Sequence, residues 1–544
     1  MKSTDLIVRF FIYFIIKNHV SIEQEHVINW SKFIHSGNSL SITNKHTLNL
    51  NGIEIYTQLT EILASFNKIE SIEPIRNLIE VKKLDLSDNL IIDIEPLGNL
   101  IKLEDIDLIN NKICDISVMK YLTNLKRLQI AHNLIIDISP LANLTKLFHV
   151  DLKNNRIKFI NHIYNLINLN VVEISFNKIE EINFSNLTKL TTLLMNDNQI
   201  ENIETISNLN LLNQLDISNN RISKINFKKL TKLTFLNGSK NNIVNIETIS
   251  SASNMKELYL DSNSIENAKS IESFRELEKL DLSNNKIKSV QFKKFYNLQR
   301  VSMSYNELKN IDSLFGLINL RFINFSNNKI ESIHNKLLDS SKRTIFEIDL
   351  SHNQLNSIEF DYEINVLWRF YLSFNNLSSI KFFRINNIVH FYLNDNNLNN
   401  FNELFENIIC NASVDISNNK FDFIDFTDSF STIRRLIMNN NPLLEINGLN
   451  ELKSLKRINL NQNNLMLLNQ FENKRTKKAI SKYWFIETLY LNVIDLIYNE
   501  SNCLMIYEFL IYHKIHVNMY SNEQIEQLVK ICLPIYEKKI ETIV

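Results

Sequence analysis

One spacing constrains this chain more than any other property. The stretch Leu277–Ile287, LEKLDLSNNKI, has the form LxxLxLxxNxI and returns every 21 to 23 residues, with one step of 25, from about Leu59 to about Leu468. The Asn marks the register: Asn67, Asn89, Asn111, Asn133, Asn155, Asn177, Asn198, Asn220, Asn241 and Asn263, then Asn285, Asn306, Asn328, Asn353, Asn375, Asn396, Asn419, Asn441 and Asn463. A repeat of this length is one supersecondary unit that cannot bury its own apolar side chains, so the units must stack. In LDL, Leu280 and Leu282 point inward and Asp281 outward, the alternation of a short strand. The Asn amide, with donors and an acceptor, suits backbone groups that the turn after the strand leaves unpaired.

Two return paths are expected. Units of 22 residues read like Ile135–Leu147, IIDISPLANLTKL, and units of 21 like Ile179–Leu190, IEEINFSNLTKL. Both are too short for a full helix, which predicts 3₁₀ turns or extended segments on the outer side, with a bulge near Lys336–Arg343 in the longest unit.

The stretch Asn133–Leu147 and its repeats resemble the short 21–22-residue class of leucine-rich repeats found in phosphatase-regulator proteins and bacterial internalins. The resemblance covers about three quarters of the chain. It implies an α/β leucine-rich-repeat solenoid, a curved right-handed horseshoe with a parallel sheet on its concave face, a 3₁₀ or extended convex side and helical end caps. The expected organisation is an N-terminal helical cap over 1–46, a solenoid of about 19 repeats over 47–470, opened by a degenerate strand in Thr47–Tyr56, and a C-terminal helical cap over 471–544.

Six glycines and five prolines in 544 residues leave no flexible linker, far below the typical shares of about 7% and 5%. A net charge of −1 provides no whole-chain field for nucleic acid or acidic membranes. Four scattered cysteines, Cys114, Cys410, Cys503 and Cys532, favour a reducing, cytoplasmic setting, although secreted bacterial repeat proteins also lack cysteine. The unbroken apolar run Phe10–Ile16 reads as part of an amphipathic capping helix, since Asp5 and Arg9 fall inside the longer apolar stretch that leads into it and no small-residue cleavage site follows. The alternatives are a signal peptide, which would make the protein secreted or surface-bound, and a membrane-surface helix. Past Leu468, the basic run Lys474–Lys478 reads as a solvated connection, and the apolar segments beyond it as helices covering the last coil, or as a small binding domain.

No phosphate loop, dinucleotide fingerprint or nucleophile elbow occurs. Cys503, His513, His516 and Cys532 match no common zinc spacing. No enzyme activity, cofactor, metal, nucleic-acid partner or membrane span is therefore expected.

The register fixes the outward strand positions, which lie six, four and two residues before each Asn. The second of these forms an acidic column that includes Asp85, Asp107, Asp151, Glu173, Asp216, Asp281, Asp349 and Asp415, either a solvated face or a receiver for a basic partner. Departures from polarity are more informative. Phe235, Tyr259, Phe322, Tyr371 and Tyr392 stand at outward positions, with Arg369 and His390 one column over from the two tyrosines and Asp349 alongside. Exposed aromatics beside Arg have the composition of binding hot spots, or they merely cover neighbouring rungs. The expected function is a non-enzymatic scaffold holding a protein on the concave face around Arg369, Tyr371, His390 and Tyr392. The phosphatase-regulator resemblance implies a regulatory subunit, and the internalin resemblance implies a secreted or surface adhesion or recognition protein. The oligomeric state is not readable from the sequence.

Overall fold

A computed structural model of the chain describes residues 30–463, apart from 36–37, 293, 315, 334–344, 365–366, 427–431, 449–451 and 461. The N-terminal run to residue 29 and everything beyond 463 lie outside the described residues. So do the C-terminal cap helices, the basic run, the Cys503–Cys532 set and, within 334–344, the expected bulge. Of the N-terminal cap expected over 1–46, the described part, from Trp30, holds a 3₁₀ turn and short strands in place of an α-helix. The chain divides into two compact units, Met1–Ile243 and Val244–Val544.

Both units are parallel-sheet solenoids. In the first, the strand Ser39–Ser41 and nine further strands, from Glu61–Leu63 to Phe235–Asn237, pair in chain order, all parallel. In the second, parallel pairing runs from Glu257–Tyr259 to Arg457–Asn459 through Lys279–Asp281, Arg300–Ser302, Phe322–Asn324, Ile345–Asp349 and Leu367–Tyr371. It continues through Ser379–Tyr392, Ile408–Asp415 and Arg435–Ile437. The register offset is one repeat: Leu215 faces Leu236, and Leu280 faces Val301. The inward leucines and isoleucines form a continuous core, with Leu280, Leu282, Ile287, Phe292, Phe295 and Leu298 all buried in one coil.

The asparagines form a file within each unit. Asn155 donates to the carbonyls of Ile130 in the preceding coil (3.0 Å) and of Leu152 and Lys153 in its own (3.1 and 3.3 Å). Its Oδ1 accepts the N–H of Ile135 at 3.0 Å. The same four-bond pattern repeats at Asn89, Asn220 and Asn375. The residue before each ladder Asn takes a left-handed conformation, from Phe66 at φ 56° to Gln462 at 54°.

On the outer side, 22-residue units make 3₁₀ turns such as Glu95–Asn99, Ser139–Leu141 and Glu247–Ser251. Proline sits at the start of the first two, where the missing N–H removes no bond. Asp93, Asp137 and Asn245 accept the N–H two residues on and so initiate the turns. Units of 21 residues lose this turn and bury a phenylalanine instead: Phe184, Phe227 and Phe292. From Ser357 onward the outer side gains β-structure, with Ser357–Ile364 pairing with the first half of Ser379–Tyr392 and Phe423–Asp425 with Glu445–Asn447, and the short α-helix Phe401–Phe405 lies between them in the chain. Gly448 closes this layer at φ 69°, where an added Cβ would collide with the Phe426 carbonyl oxygen.

The expected strand in Thr47–Tyr56 is absent; those residues turn around the outer side. The sheet face already starts at Ser39–Ser41, which Ile34–His35 covers as an antiparallel partner after the 3₁₀ turn Trp30–Phe33. The LNLNGIEIY alternation that suggested a strand does not alternate in burial: Leu50 and Ile53, three residues apart, are the apolar residues it buries, while Leu48 and Ile55 are exposed.

Candidate functional site

The outward strand positions are where side chains of successive rungs meet, because parallel strands stand about 4.8 Å apart. Register pairs Tyr371 with Tyr392 and Arg369 with His390. The two phenol rings stack at 4.7 Å with 3° between their planes, and the His390 ring lies 6.4 Å from that of Tyr392. Arg369 is paired with Glu347 on the preceding strand at 3.2 Å. Asp349 accepts the backbone N–H and the hydroxyl of Ser351 at 2.9 and 2.6 Å. Phe322 stacks on Phe346 at 5.6 Å, with Arg300 over its other side at 4.2 Å. The structure thus brings Phe322, Asp349, Arg369, Tyr371, His390 and Tyr392 together on four neighbouring strands. Tyr259 lies three strands before Phe322 and donates to Glu257 at 2.9 Å. Phe235 belongs to the first unit, on the strand beside Gln214.

Each of these aromatics is half-buried, and stacking covers part of the Phe322, Tyr371 and Tyr392 rings and leaves the rest to solvent. Partial burial, reinforced by the Glu347 carboxylate and the Tyr392 ring, raises the Tyr371 phenol above its ordinary range. Burial, and then the neighbouring Arg369, lowers the His390 pKa, keeping the ring neutral near pH 7. His390 Nδ1 has no hydrogen-bond partner among the described residues. Burial and the bond to Glu257 push Tyr259 up to about 12.

The spacing argument missed the flanks of this face. On the strand Leu367–Tyr371, Trp368 is 48% exposed just before Arg369, and Phe374 is 46% exposed just before the ladder Asn375. One coil therefore presents Trp, Arg, Tyr and Phe in succession. Phe374 also stacks on His352 at 4.2 Å. Counting only alternate strand positions skips both, because Trp368 precedes the alternation and Phe374 follows it in the left-handed turn.

The acidic positions lie on the strands as the register places them, but only Asp85 with Asp107 and Asp151 with Glu173 are neighbours on adjacent strands; the other acids are separated by uncharged residues. Asp107 is pushed up to about 6, by burial first, against the N–H bond from Ile109, with Asp85 adding repulsion. Burial likewise raises Asp151, Glu173, Asp281 and Asp415. Among the described residues, no group of three or more His, Cys, Asp or Glu is placed to hold a metal ion, and no helix is long and apolar enough to cross a membrane.

A family model described as leucine-rich repeat matches residues 275–330. Among solved structures, an internalin of Listeria monocytogenes is 29% identical, covering 53% of this chain and 87% of its own with a TM-score of 0.51. A leucine-rich-repeat protein of Leptospira interrogans is 20% identical over 68% of this chain and 93% of its own, with a TM-score of 0.56. The Arabidopsis receptor kinase HAESA, solved with the peptide hormone IDA and the co-receptor SERK1, is 22% identical over 79% and 74%, with a TM-score of 0.60. A search of curated proteins gave no match. With the coil geometry, these likenesses show that the chain folds as a leucine-rich-repeat solenoid. Its repeats are similar to those of the Listeria internalin.

Proposed function

We propose that the chain is a scaffold that captures a protein partner on the strand face of its second unit, centred on Arg369, Tyr371, His390 and Tyr392. Asp349 and Phe322 border the contact. The observation that carries this reading is the stacked, half-exposed pair Tyr371–Tyr392 beside Trp368 and Arg369. Large rigid side chains held in place by stacking lose little entropy on binding, and Trp, Tyr and Arg dominate interface energetics. Tyr259 lies on the same strand face outside this centre, and Phe235, in the first unit, is not part of it.

The internalin likeness favours a secreted or surface recognition role over a regulatory subunit, a reading that has only the repeat length behind it. The test is affinity capture with the full chain as bait, read by quantitative mass spectrometry. The double variant Tyr371→Ala, Tyr392→Ala is expected to lose the partner while keeping the wild-type melting curve. Undiminished capture by a folded double variant would contradict the reading. Sequencing the mature N-terminus distinguishes the two settings, since removal of residues 1 to about 20 marks export.

A further inference from the structure

The near-zero net charge of the chain conceals a local excess on this face. From the Arg300 strand to the Arg457 strand, the outward positions and the residue just before them hold seven cations against three carboxylates. The carboxylates are already engaged. Glu347 meets Arg369, while Asp349 and Asp415 each accept the N–H and hydroxyl of the serine two residues on. The cations beyond the tyrosines are less committed: Arg434, Arg435 and Lys456 are exposed and make no ion pair among the described residues. Arg435 and Arg457 are register partners on neighbouring strands, and like charges so placed repel.

We infer that this face takes an acidic, extended protein segment, which sets an aromatic or apolar side chain on Tyr371 and Tyr392 and its carboxylates on Arg434, Arg435, Lys456 and Arg457. The inference rests on the proposed site and adds the chemistry of its partner. The Tyr371 strand is three rungs from the Arg435 strand and four from the Arg457 strand. At about 4.8 Å per rung these steps span roughly 14 and 19 Å, which an extended peptide at about 3.4 Å per residue covers in about four to six residues. The partner's acidic residues therefore lie four to six positions from its aromatic anchor. A protein segment fits better than nucleic acid. A phosphate backbone carries charge at every step and would have to pass Asp349 and Asp415, whereas a peptide can set neutral residues opposite them.

The experiment pans a bead-displayed library of random 12-residue peptides on the full chain and on the variant Arg435→Glu, Lys456→Glu, Arg457→Glu. All three substitutions are at exposed positions, and an unchanged melting curve checks the fold. The wild type is expected to enrich Asp and Glu four to six positions from Trp, Tyr or Phe. Selected peptides should bind the variant at least about tenfold more weakly, consistent with the loss of charge-assisted contacts. Absence of acidic enrichment, persistence of that enrichment on the variant, or displacement of the peptides by single-stranded DNA at lower concentration would overturn the inference. Panning on the double tyrosine variant separates the two proposals. Acidic peptides that keep their enrichment there while losing the aromatic requirement contradict the tyrosine-centred site but leave the cationic pole standing.

Discussion

Asn155 shows at the scale of one residue why the repeat keeps its spacing. Its amide donates three bonds and accepts one, spanning two coils in a buried turn where water cannot substitute. Asn155→Asp keeps the shape but replaces the donor with a carboxylate oxygen facing three carbonyls. At pH 7 the change should cost about 3 kcal/mol or more. The expected signs are a lower urea midpoint and faster amide exchange in the coils on either side. Unchanged exchange there would mean that the ladder is not what ties coils together. The residue one step earlier tells a related story. Its left-handed conformation is comfortable for Asn and Asp, found at Asn154, Asn219 and Asn284, and costly for a bulky ring. Phe66, Phe176, Tyr305 and Phe374 accept that cost. The doublets NN and DN carried this signal in the sequence, but it reads as Asn abundance until the φ angles are known.

At the scale of strands and coils, the acidic column has a thermodynamic signature. Asp107 in the folded chain has a pKa of about 6, above the ordinary value near 3.9 that an unfolded chain would show. Between about pH 4 and 6 the folded state thus holds a proton that the unfolded state has released. Stability falls as pH rises through that window and returns as pH falls. Asp107→Asn keeps the acceptor for the Ile109 N–H and removes the charge. It should therefore stabilise the protein at pH 7 and make little difference at pH 4, as read by urea midpoints at both values. Equal effects at the two pH values would contradict the burial account. The 21-residue coils teach a lesson about legibility at this scale. Their inward register was evident from the leucine pattern, whereas the buried rings of Phe184 and Phe227 that replace the turn emerged only with the coil geometry. The outer strand Ser357–Ile364 and the first half of Ser379–Tyr392 were less legible, because an outer segment pairs only when its neighbour is also extended, a property of two coils together.

For the molecule as a whole, the period defined the solenoid, since only stacking can bury one apolar stripe per 22 residues. The site was partly legible. Register arithmetic brought Tyr371, Tyr392, Arg369 and His390 into contact on paper, and the rings do stack. It missed Trp368 and Phe374, whose exposure depends on how the chain enters and leaves the strand, and it grouped Phe235 with residues of the other unit. The most direct test of the account places a photo-reactive phenylalanine analogue at position 371 or 392 on the strand face, and at Glu247 or Asp312 on outer 3₁₀ turns. Crosslinks to the captured partner are expected from 371 and 392 and not from 247 or 312. Crosslinks from the outer turns alone would contradict it.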